Sequence, residues 1–384
     1  MDVRASLSLS YQELNASARL FRLLGLLSGP NFEPAIAAAL LESESKVAQE
    51  CVARLVNMQL LEPAREGRYR FHSLVRLFAK GQLAQEEPSV ARQDARLRVA
   101  RWYLETSEIM DLALNPETRY QLAQVLSKKI NQSLEKTEQN LCSIALNWFE
   151  IERVNLLESM DWAYQIKAWE IVVSLAKNLV NFFNTNRYWT DWERTHLLAR
   201  EASRELGEGK AESQTLTNLG NVYSLLSEWG KARECYEKSL AIFEQLENRL
   251  GVAKTIGNLA NVYSQEGNWE KARESYQQSL NIFSELKDRY GEGQTLANMG
   301  ILYAQQNQDE QAVVLWQEAL KKLPPNLPKF KRVAEWLQSI NRRNLETEPQ
   351  LSEASAEPQP INVLGGLFVV IILFVVSFLL FVVN

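Results

Sequence analysis

The sequence of 384 residues is poor in the side chains that build disulfide frameworks and metal sites. It has three Cys and two His, which lie far apart: Cys51, Cys142, Cys235, His72 and His196. Their number and spacing argue against a disulfide framework and provide no cluster of metal ligands. Gly (16) and Pro (11) are also scarce, which excludes a collagen-like or broadly disordered chain. The formal net charge of −5 argues against binding nucleic acid by bulk electrostatic attraction.

Catalytic and nucleotide-binding patterns are absent as well. The sequence contains no GxxxxGK[ST], the loop whose backbone amides hold nucleotide phosphates. Ser73 adjoins His72 only in sequence, which does not make a nucleophile and base pair. His196 occupies the place of Tyr236 in a repeat described below, and this place predicts core packing. The sequence therefore predicts a protein that is not an enzyme and uses no cofactor.

The one long hydrophobic run lies at the C-terminus. Val363 to Val383 is 21 residues without a charge, and a helix of that length spans roughly 31 Å, close to the ~30 Å hydrocarbon core of a bilayer. Residues 344–360 before it contain four Glu, three Pro and no Lys or Arg, a composition typical of a flexible tether. No signal peptide is apparent at the N-terminus. We therefore expect a transmembrane anchor over 361–384 and a single-pass membrane protein whose bulk is cytoplasmic; the alternative is a buried core helix.

A repeat of 40 residues is the strongest internal signal. The string NLGNVYS at 218–224 returns as NLANVYS at 258–264 and as NMGILYA at 298–304. In each copy a small residue such as Gly220 is followed by Tyr three residues later, Ala after nine more and an aromatic residue after four more. This pattern resembles the tetratricopeptide repeat (TPR) in a longer variant, which implies pairs of helices stacked into a superhelix. We predict a TPR array over 167–326, with three clear repeats at 207–326 and a degenerate one before them, and a capping helix over 329–340.

The resemblance also implies a binding groove lined by the first helix of each pair. Five asparagines recur on these helices, namely Asn218, Asn221, Asn258, Asn261 and Asn298. An Asn amide carries donors and an acceptor, so a row of them can bond the backbone of a protein or peptide partner. The alternative is that these amides bond neighbouring helices. A clamp for a chaperone's C-terminal carboxylate is disfavoured because Lys does not stand beside these asparagines on the same helices.

The N-terminal region predicts a winged-helix domain over 6–87, followed by a helical linker over 88–166. Apolar spacing predicts helices over 11–27, 34–41, 45–58 and 74–83, and strands over 60–62 and 68–71. Winged helices often bind DNA, but the basic spot on this wing is small. Nucleic acid is therefore not expected as a partner.

Three strings resemble bacterial STAND signalling ATPases of the NB-ARC type: SYQELNASARLFRLLGLLSGPNFEP, LVNMQLLEPAREGRYRFHSLVRLFAKGQLAQEE and ALNWFEIERVNLL. In that family a winged helix follows the nucleotide-binding module, and TPRs follow as the sensor. The resemblance implies the C-terminal half of such a regulator without its ATPase module. His72 stands at the place of the family's nucleotide-sensing His, with Ser73 where an Asp is usual. It is either a structural or vestigial residue, or a sensor completed by a separate NTPase chain.

These observations predict a mainly α-helical fold comprising a winged helix, a helical linker, a TPR superhelix and a transmembrane helix. The function we expect is a membrane-tethered adaptor or scaffold that binds cytosolic proteins in signalling. One alternative is half of a split STAND-type regulator that works with a separate NTPase chain. Another is a membrane-anchored DNA-binding regulator.

Overall fold

A computed structural model describes residues 3–130 and 132–346, nearly all of them helical. Its seventeen α-helices are α1 (Val3–Gln12), α2 (Ala18–Leu24), α3 (Pro34–Leu41), α4 (Ser45–Asn57), α5 (Ser73–Glu86), α6 (Ser89–Leu114), α7 (Pro116–Ile130), α8 (Leu134–Gln165), α9 (Trp169–Asn186), α10 (Trp189–Glu205), α11 (Gly209–Leu225), α12 (Trp229–Gln245), α13 (Arg249–Gln265), α14 (Trp269–Glu285), α15 (Arg289–Gln305), α16 (Asp309–Lys322) and α17 (Pro328–Glu346). Two short strands, β1 (Glu62–Pro63) and β2 (Tyr69–Arg70), and two single-turn 3₁₀ helices (Asn15–Ser17 and Arg65–Gly67) complete the described elements.

The described residues fall into two compact units. The amino-terminal unit comprises residues 3–115 and 132–206, and the repeat unit comprises 116–130 and 207–346. No helix in the described ranges has the length and apolarity needed to cross a bilayer. The predicted anchor over 361–384, with Val363 and Val383, lies outside the described residues. The domain boundaries drawn from the sequence stay predictions, although the first three residues of the predicted tether belong to α17.

The helices of the repeat unit follow the 40-residue register of the sequence. The first helices α11, α13 and α15 begin at residues 209, 249 and 289, and the second helices α12, α14 and α16 at 229, 269 and 309. A residue with left-handed backbone stands between successive helices every twenty residues, at 207, 227, 247, 267, 287 and 307. Only two of these six are Gly. The backbone N–H groups of Asn248 and Asn268 donate to carbonyl oxygens five residues earlier and so close the C-terminal ends of α12 and α13.

Small and aromatic residues make the core between these helices. Gly220 faces Tyr236 so closely that an added Cβ would lie 2.4 Å from the ring. Tyr236 is buried with Leu219, Tyr223 and Leu259 in one apolar cluster. At the end of the array Val333 and Ile340 of α17 join a cluster around Trp316. The small positions of the repeat therefore allow close helix contact, and α17 covers the apolar face of α16.

The amino-terminal unit differs from the predicted winged helix at its first helix. The prediction of one helix over 11–27 is wrong because α1 ends at Gln12 and α2 begins only at Ala18. Asn15 between them has a φ of 50°, a left-handed conformation that Asn tolerates better than most residues. The break lets Leu14 and Phe21 both reach the core, where each is fully buried.

The remaining elements occur in the predicted order of helix, helix, strand, strand, helix. Strands β1 and β2 pair antiparallel over two residues each, and Phe32 adds a bridge to Tyr69 on the other side. Gly67, with a φ of 74°, lies in the turn that joins the strands. The wing is therefore short, and Phe32 holds it against the loop that precedes α3.

A buried polar cluster fixes this wing on α8. Arg68, next to β2, donates to Glu152 of α8, whose side chain is 0% exposed. The second oxygen of Glu152 accepts from the Tyr103 hydroxyl of α6 at 2.6 Å and from Asn155 Nδ2 at 2.8 Å. A buried ion pair that loses one partner leaves an uncompensated charge, which costs about 3–5 kcal/mol. The string ALNWFEIERVNLL thus contains Glu152, the residue that holds the wing on α8.

Glu33 at the start of α3 adds a second carboxylate beside this cluster. Burial, and then the nearby charge of Glu152, raise the pKa of Glu33 from 4.5 to about 7. The charge of Arg68 lowers the pKa of Glu33, and so does the hydrogen bond that Trp148 Nε1 donates to Glu33 Oε1 at 3.4 Å. Together they do not restore the usual pKa. Two carboxylates therefore share one guanidinium in a region of low dielectric.

We expect Glu33→Gln to stabilise the chain at pH 8 and to change little at pH 5. The folded state binds more protons than the unfolded state between pH 4.5 and 7, so the unfolding free energy of the wild type falls as pH rises through that window. The neutral Gln amide removes this loss. The unfolding free energy of the variant should therefore exceed that of the wild type by about 1–3 kcal/mol at pH 8. Urea denaturation at both pH values measures it, with the exposed Glu50→Gln as control. An equal effect of Glu33→Gln at the two pH values would show that Glu33 is ionised throughout.

Candidate functional site

The predicted asparagines lie on one face of the first helices of the repeat unit. Asn218, Asn258 and Asn298 share one register position, and Asn221 and Asn261 lie three residues later, so both sets project from the same side of their helices. All five side chains are partly exposed, whereas the adjoining Leu219 and Leu259 of α11 and α13 are buried in the core. We call these five asparagines the amide row.

We call Asn221 and Asn261 the outer amides of the row. Their side-chain oxygens accept hydrogen bonds from within the repeat unit. Asn221 Oδ1 accepts from the Tyr236 hydroxyl of α12 at 2.8 Å and from Asn258 Nδ2 of α13 at 3.4 Å. One repeat later Asn261 Oδ1 accepts from the Tyr276 hydroxyl at 2.5 Å and from Asn298 Nδ2 at 3.2 Å. The alternative interpretation, bonds to neighbouring helices, therefore describes the oxygens of Asn221 and Asn261 and the N–H₂ groups of Asn258 and Asn298.

The nitrogen side of the same amides is directed elsewhere. Among the described residues no hydrogen bond involves Nδ2 of Asn221 or Nδ2 of Asn261. Burial raises the pKa of Tyr236 and Tyr276 far above the usual value, so both hydroxyls remain protonated donors. A donor on one side of each amide fixes its oxygen there and leaves the N–H₂ facing away. Asn221 and Asn261 thus present oriented donors, whereas the N–H₂ groups of Asn258 and Asn298 are used inside the repeat unit.

Lys329 contacts the last asparagine of the row. Its Nζ donates to Asn298 Oδ1 at 2.8 Å and lies 5.5 Å from the centre of the Trp336 ring. Burial, and then the charge of Arg332, lower the pKa of Lys329 to about 8. Lys329 belongs to α17, outside the 40-residue register, so the spacing of the repeats could not reveal it.

His72, the candidate nucleotide sensor, lies in the amino-terminal unit. It is exposed and precedes the first residue of α5. Leu74 and Leu77 of the same helix are 52% and 69% exposed and line a surface cavity of about 370 Å³ that also includes Leu7 of α1. Exposed leucines therefore form an apolar surface on the helix that begins directly after His72.

The other histidine, His196, packs in the core as predicted from its register. It is 1% exposed, and its Nδ1 lies 3.1 Å from the carbonyl oxygen of Trp192. Burial lowers the pKa of His196 to about 4, so the ring is neutral at physiological pH. Within the described ranges no three His, Cys, Asp or Glu side chains are grouped to hold a metal ion.

Two further asparagines occupy the same register positions in the degenerate repeat, where the sequence did not predict them. Asn178 and Asn181 of α9 stand forty residues before Asn218 and Asn221, in the degenerate repeat. Asn178 Nδ2 donates to Ser107 Oγ at 3.1 Å, and Asn181 Nδ2 donates to Asp111 Oδ1 at 3.0 Å. Both acceptors lie on α6. The repeat register alone could have identified this pair, but not the helix that they bind.

Comparison with known proteins supports the repeat assignment. Models of the tetratricopeptide repeat match residues 213–249 and 251–323. The chain is 30% identical over 234 residues to the regulatory protein AfsR of Streptomyces griseus and 32% identical over 230 residues to AfsR of Streptomyces coelicolor. These matches cover 60% and 57% of the chain but only 24% and 22% of the two AfsR proteins. The chain therefore spans about a quarter of the length of these relatives.

Among solved structures, the chain is similar to a Signal Transduction ATPase with Numerous Domains (STAND) protein with a tetratricopeptide repeat sensor from Pyrococcus horikoshii. The TM-score is 0.40 with 15% identity, covering 87% of this chain and 61% of that one. BtubC from P. vanneervenii gives a TM-score of 0.40 with 16% identity, covering 72% of this chain and all of that one. Neither likeness is close enough to bear on function. The chain carries tetratricopeptide repeats and resembles AfsR regulators in part of its sequence.

Replacing the row's outer amides by Ala should destabilise the repeat unit. Asn261→Ala leaves the buried Tyr276 hydroxyl without its acceptor, which should lower the unfolding free energy by about 1–3 kcal/mol. Asn261→Asp keeps an acceptor oxygen and should cost less. Urea denaturation of both variants, with and without Tyr276→Phe, measures the coupling. If Asn261→Ala costs as much in the Tyr276→Phe background as in the wild type, the hydroxyl and the amide are not coupled.

Proposed function

We propose that the chain is a non-enzymatic adaptor in signalling that binds segments of partner proteins along the amide row. The observation that carries this proposal is the orientation of the outer amides, whose oxygens are held by Tyr236 and Tyr276 while their N–H₂ groups face away. The tetratricopeptide repeats and the similarity to AfsR regulators support an interaction role in regulation.

The row suits binding because its donors are already placed. A free Asn side chain loses rotamer freedom when it binds, which costs about 0.5–1.5 kcal/mol for a flexible side chain. Asn221 and Asn261 have lost that freedom on folding, since a tyrosine and a second asparagine fix each oxygen. A partner that offers two acceptor oxygens at the spacing of one repeat can therefore bind both donors with little further ordering of the protein.

The double variant Asn221→Asp/Asn261→Asp tests this function without removing the internal bonds. Asp keeps the oxygen that Tyr236 and Tyr276 need but loses the outward N–H₂. Each lost hydrogen bond should cost about 0.5–1.5 kcal/mol, so partner binding should weaken roughly tenfold to a hundredfold. The full chain is immobilised and incubated with cell extract. Quantitative mass spectrometry then compares the proteins captured by the wild type with those captured by the variant.

The matched control is Asn281→Asp, which makes the same chemical change on the exposed surface of α14. It should leave the captured proteins unchanged. Thermal unfolding of all three proteins checks that the fold is retained. Equal capture by the wild type and the double Asp variant would remove the amide row from the binding surface.

We further propose that residues 361–384 tether this adaptor to a membrane with its bulk in the cytoplasm. The support is the uncharged run of 21 residues from Val363 to Val383. Removing residues 361–384 should move the protein from the membrane pellet to the supernatant after a high-salt wash. The amide row should bind its partners as before. A truncated chain that still sediments with membranes would refute the tether.

The exposed leucines of α5, the helix that begins directly after His72, favour a second candidate, a regulator that works with a separate NTPase chain. The 384 residues contain no GxxxxGK[ST], so the chain alone should not bind ADP in calorimetry. A purified STAND ATPase module should instead bind the full chain, and Leu77→Asp should weaken that binding at least tenfold. Val90→Asp, at an equally exposed position on α6, is the control. ADP binding by the chain alone, or no effect of Leu77→Asp, would exclude this arrangement.

A further inference from the structure

The last helix of the repeat unit, α17, is basic in a chain that is acidic as a whole. Residues 328–346 contain five Lys or Arg and two Glu, whereas the whole chain has a formal net charge of −5. The buried side of α17 is apolar, since Val333 and Ile340 are fully buried in the cluster around Trp316. The helix is therefore amphipathic, with its apolar side used inside the protein.

The exposed residues of α17 lie together on the opposite side. They are Lys331, Arg332, Glu335, Gln338 and Ser339. At 100° per residue, these five positions fall within an arc of about 120°. Positions 342 and 343, both Arg, follow 331 and 332 by eleven residues, or about three helical turns, so the backbone continues the same side. We call the positions 331, 332, 342 and 343 the basic face.

The charges of the basic face differ from those of the helix before it. Lys321 and Lys322 of α16 form ion pairs with Glu318 and Glu292. Among the side chains that the structure describes, no carboxylate forms an ion pair with Lys331 or Arg332. These two cations are exposed as well, so their charge is directed to the surroundings of the protein.

The proposed membrane tether begins where this helix ends. Residues 347–360 separate the end of α17 at Glu346 from the proposed anchor at 361–384. A flexible chain of that length has a root-mean-square span of about 20 Å. The proposed tether would therefore keep the basic face close to the lipid headgroups, at a high effective concentration.

We infer that the basic face of α17 binds the anionic lipid headgroups of the membrane to which the chain is tethered. This inference rests on the proposed tether and adds a second, electrostatic contact to it. The cytoplasmic surface of a membrane carries anionic lipids, and each Lys or Arg near it strengthens binding roughly fivefold. The contact orients the repeat unit, because one end of the array then lies against the bilayer.

The acidic tether is a weaker match for the same face. Glu348, Glu353 and Glu357 are spread over ten residues of a segment with three Pro. A flexible segment must be ordered along the helix before its carboxylates can pair with the four basic positions, and this ordering costs conformational entropy. Headgroups at a bilayer surface offer many negative charges without ordering any part of the chain.

Quenching in vesicles tests the inference on the full chain. Gln338, on the exposed side of α17, is replaced by a fluorescent amino acid, and the chain is reconstituted into vesicles that contain a lipid with a nitroxide on its headgroup, which quenches at near contact. We expect about threefold stronger quenching in vesicles with about one third phosphatidylglycerol than in pure phosphatidylcholine. The difference should fall strongly in 0.5 M NaCl, because salt screens exposed charges.

Charge reversal identifies the residues responsible. Lys331→Glu/Arg332→Glu should reduce quenching in anionic vesicles to the level in phosphatidylcholine. The matched control is Lys210→Glu/Lys254→Glu, which makes the same change in net charge at two exposed lysines of α11 and α13 and should leave quenching unchanged. Equal quenching in both kinds of vesicle, or equal loss in the two double variants, would overturn the inference.

The remaining outcomes separate the inference from the tether. If anionic vesicles quench the label only after Glu348, Glu353 and Glu357 are replaced by Gln, the acidic segment occupies the basic face and the inference fails. It also fails if duplex DNA binds through Lys331 and Arg332 while anionic vesicles do not quench. Flotation of the same samples reports the tether. A chain that floats only with anionic vesicles supports the inference and refutes the tether, and one that floats with neither kind refutes both.

Discussion

A buried tyrosine hydroxyl must have a hydrogen-bond partner, and this requirement connects the core of the repeat unit to its surface. Tyr236 and Tyr276 are wedged against small residues of the first helices, and each ring carries its hydroxyl to the edge of the core. The acceptor there is Asn221 or Asn261. An unsatisfied buried hydroxyl would cost about 1–3 kcal/mol, so the identity of the surface amide is set by the packing beneath it.

The third repeat shows the same rule with different residues. Trp316 stands where Tyr236 and Tyr276 stand, and Ile301 replaces Asn221 and Asn261. The indole N–H reaches the backbone oxygen of Ala297 instead, at 3.0 Å, so no side-chain acceptor is needed at position 301. The aromatic residue and the amide therefore change together within one chain. The third repeat therefore has no outer amide, because its aromatic residue has no hydroxyl that needs an acceptor there. Lys329 donates to Asn298 in this repeat.

Much of the repeat unit could be predicted from the sequence, because its determinants are local and recur every 40 residues. The helix pairs, the small positions and the amide row all follow from the aligned strings at 218, 258 and 298. The bonds from Tyr236 and Tyr276 could not be predicted, because the register identifies an aromatic residue but not the group that its hydroxyl reaches. The break at Asn15 was missed because the apolar spacing of Leu14 and Phe21 continues across it.

Contacts between residues far apart in sequence explain the rest. Arg68 meets Glu152, and Ser107 meets Asn178, across 84 and 71 residues, and no spacing rule connects them. Both contacts bury polar groups that must be satisfied together, so each specifies one arrangement of its elements and penalises others. In the amino-terminal unit, the first contact fixes the position of the wing on α8, and the second fixes the position of α6 on α9. The repeat unit has kept the amides of the second contact while its tyrosines hold their oxygens inward. Asn258 and Asn298 donate to the preceding first helix as Asn178 donates to α6, so one register position joins helices in both units.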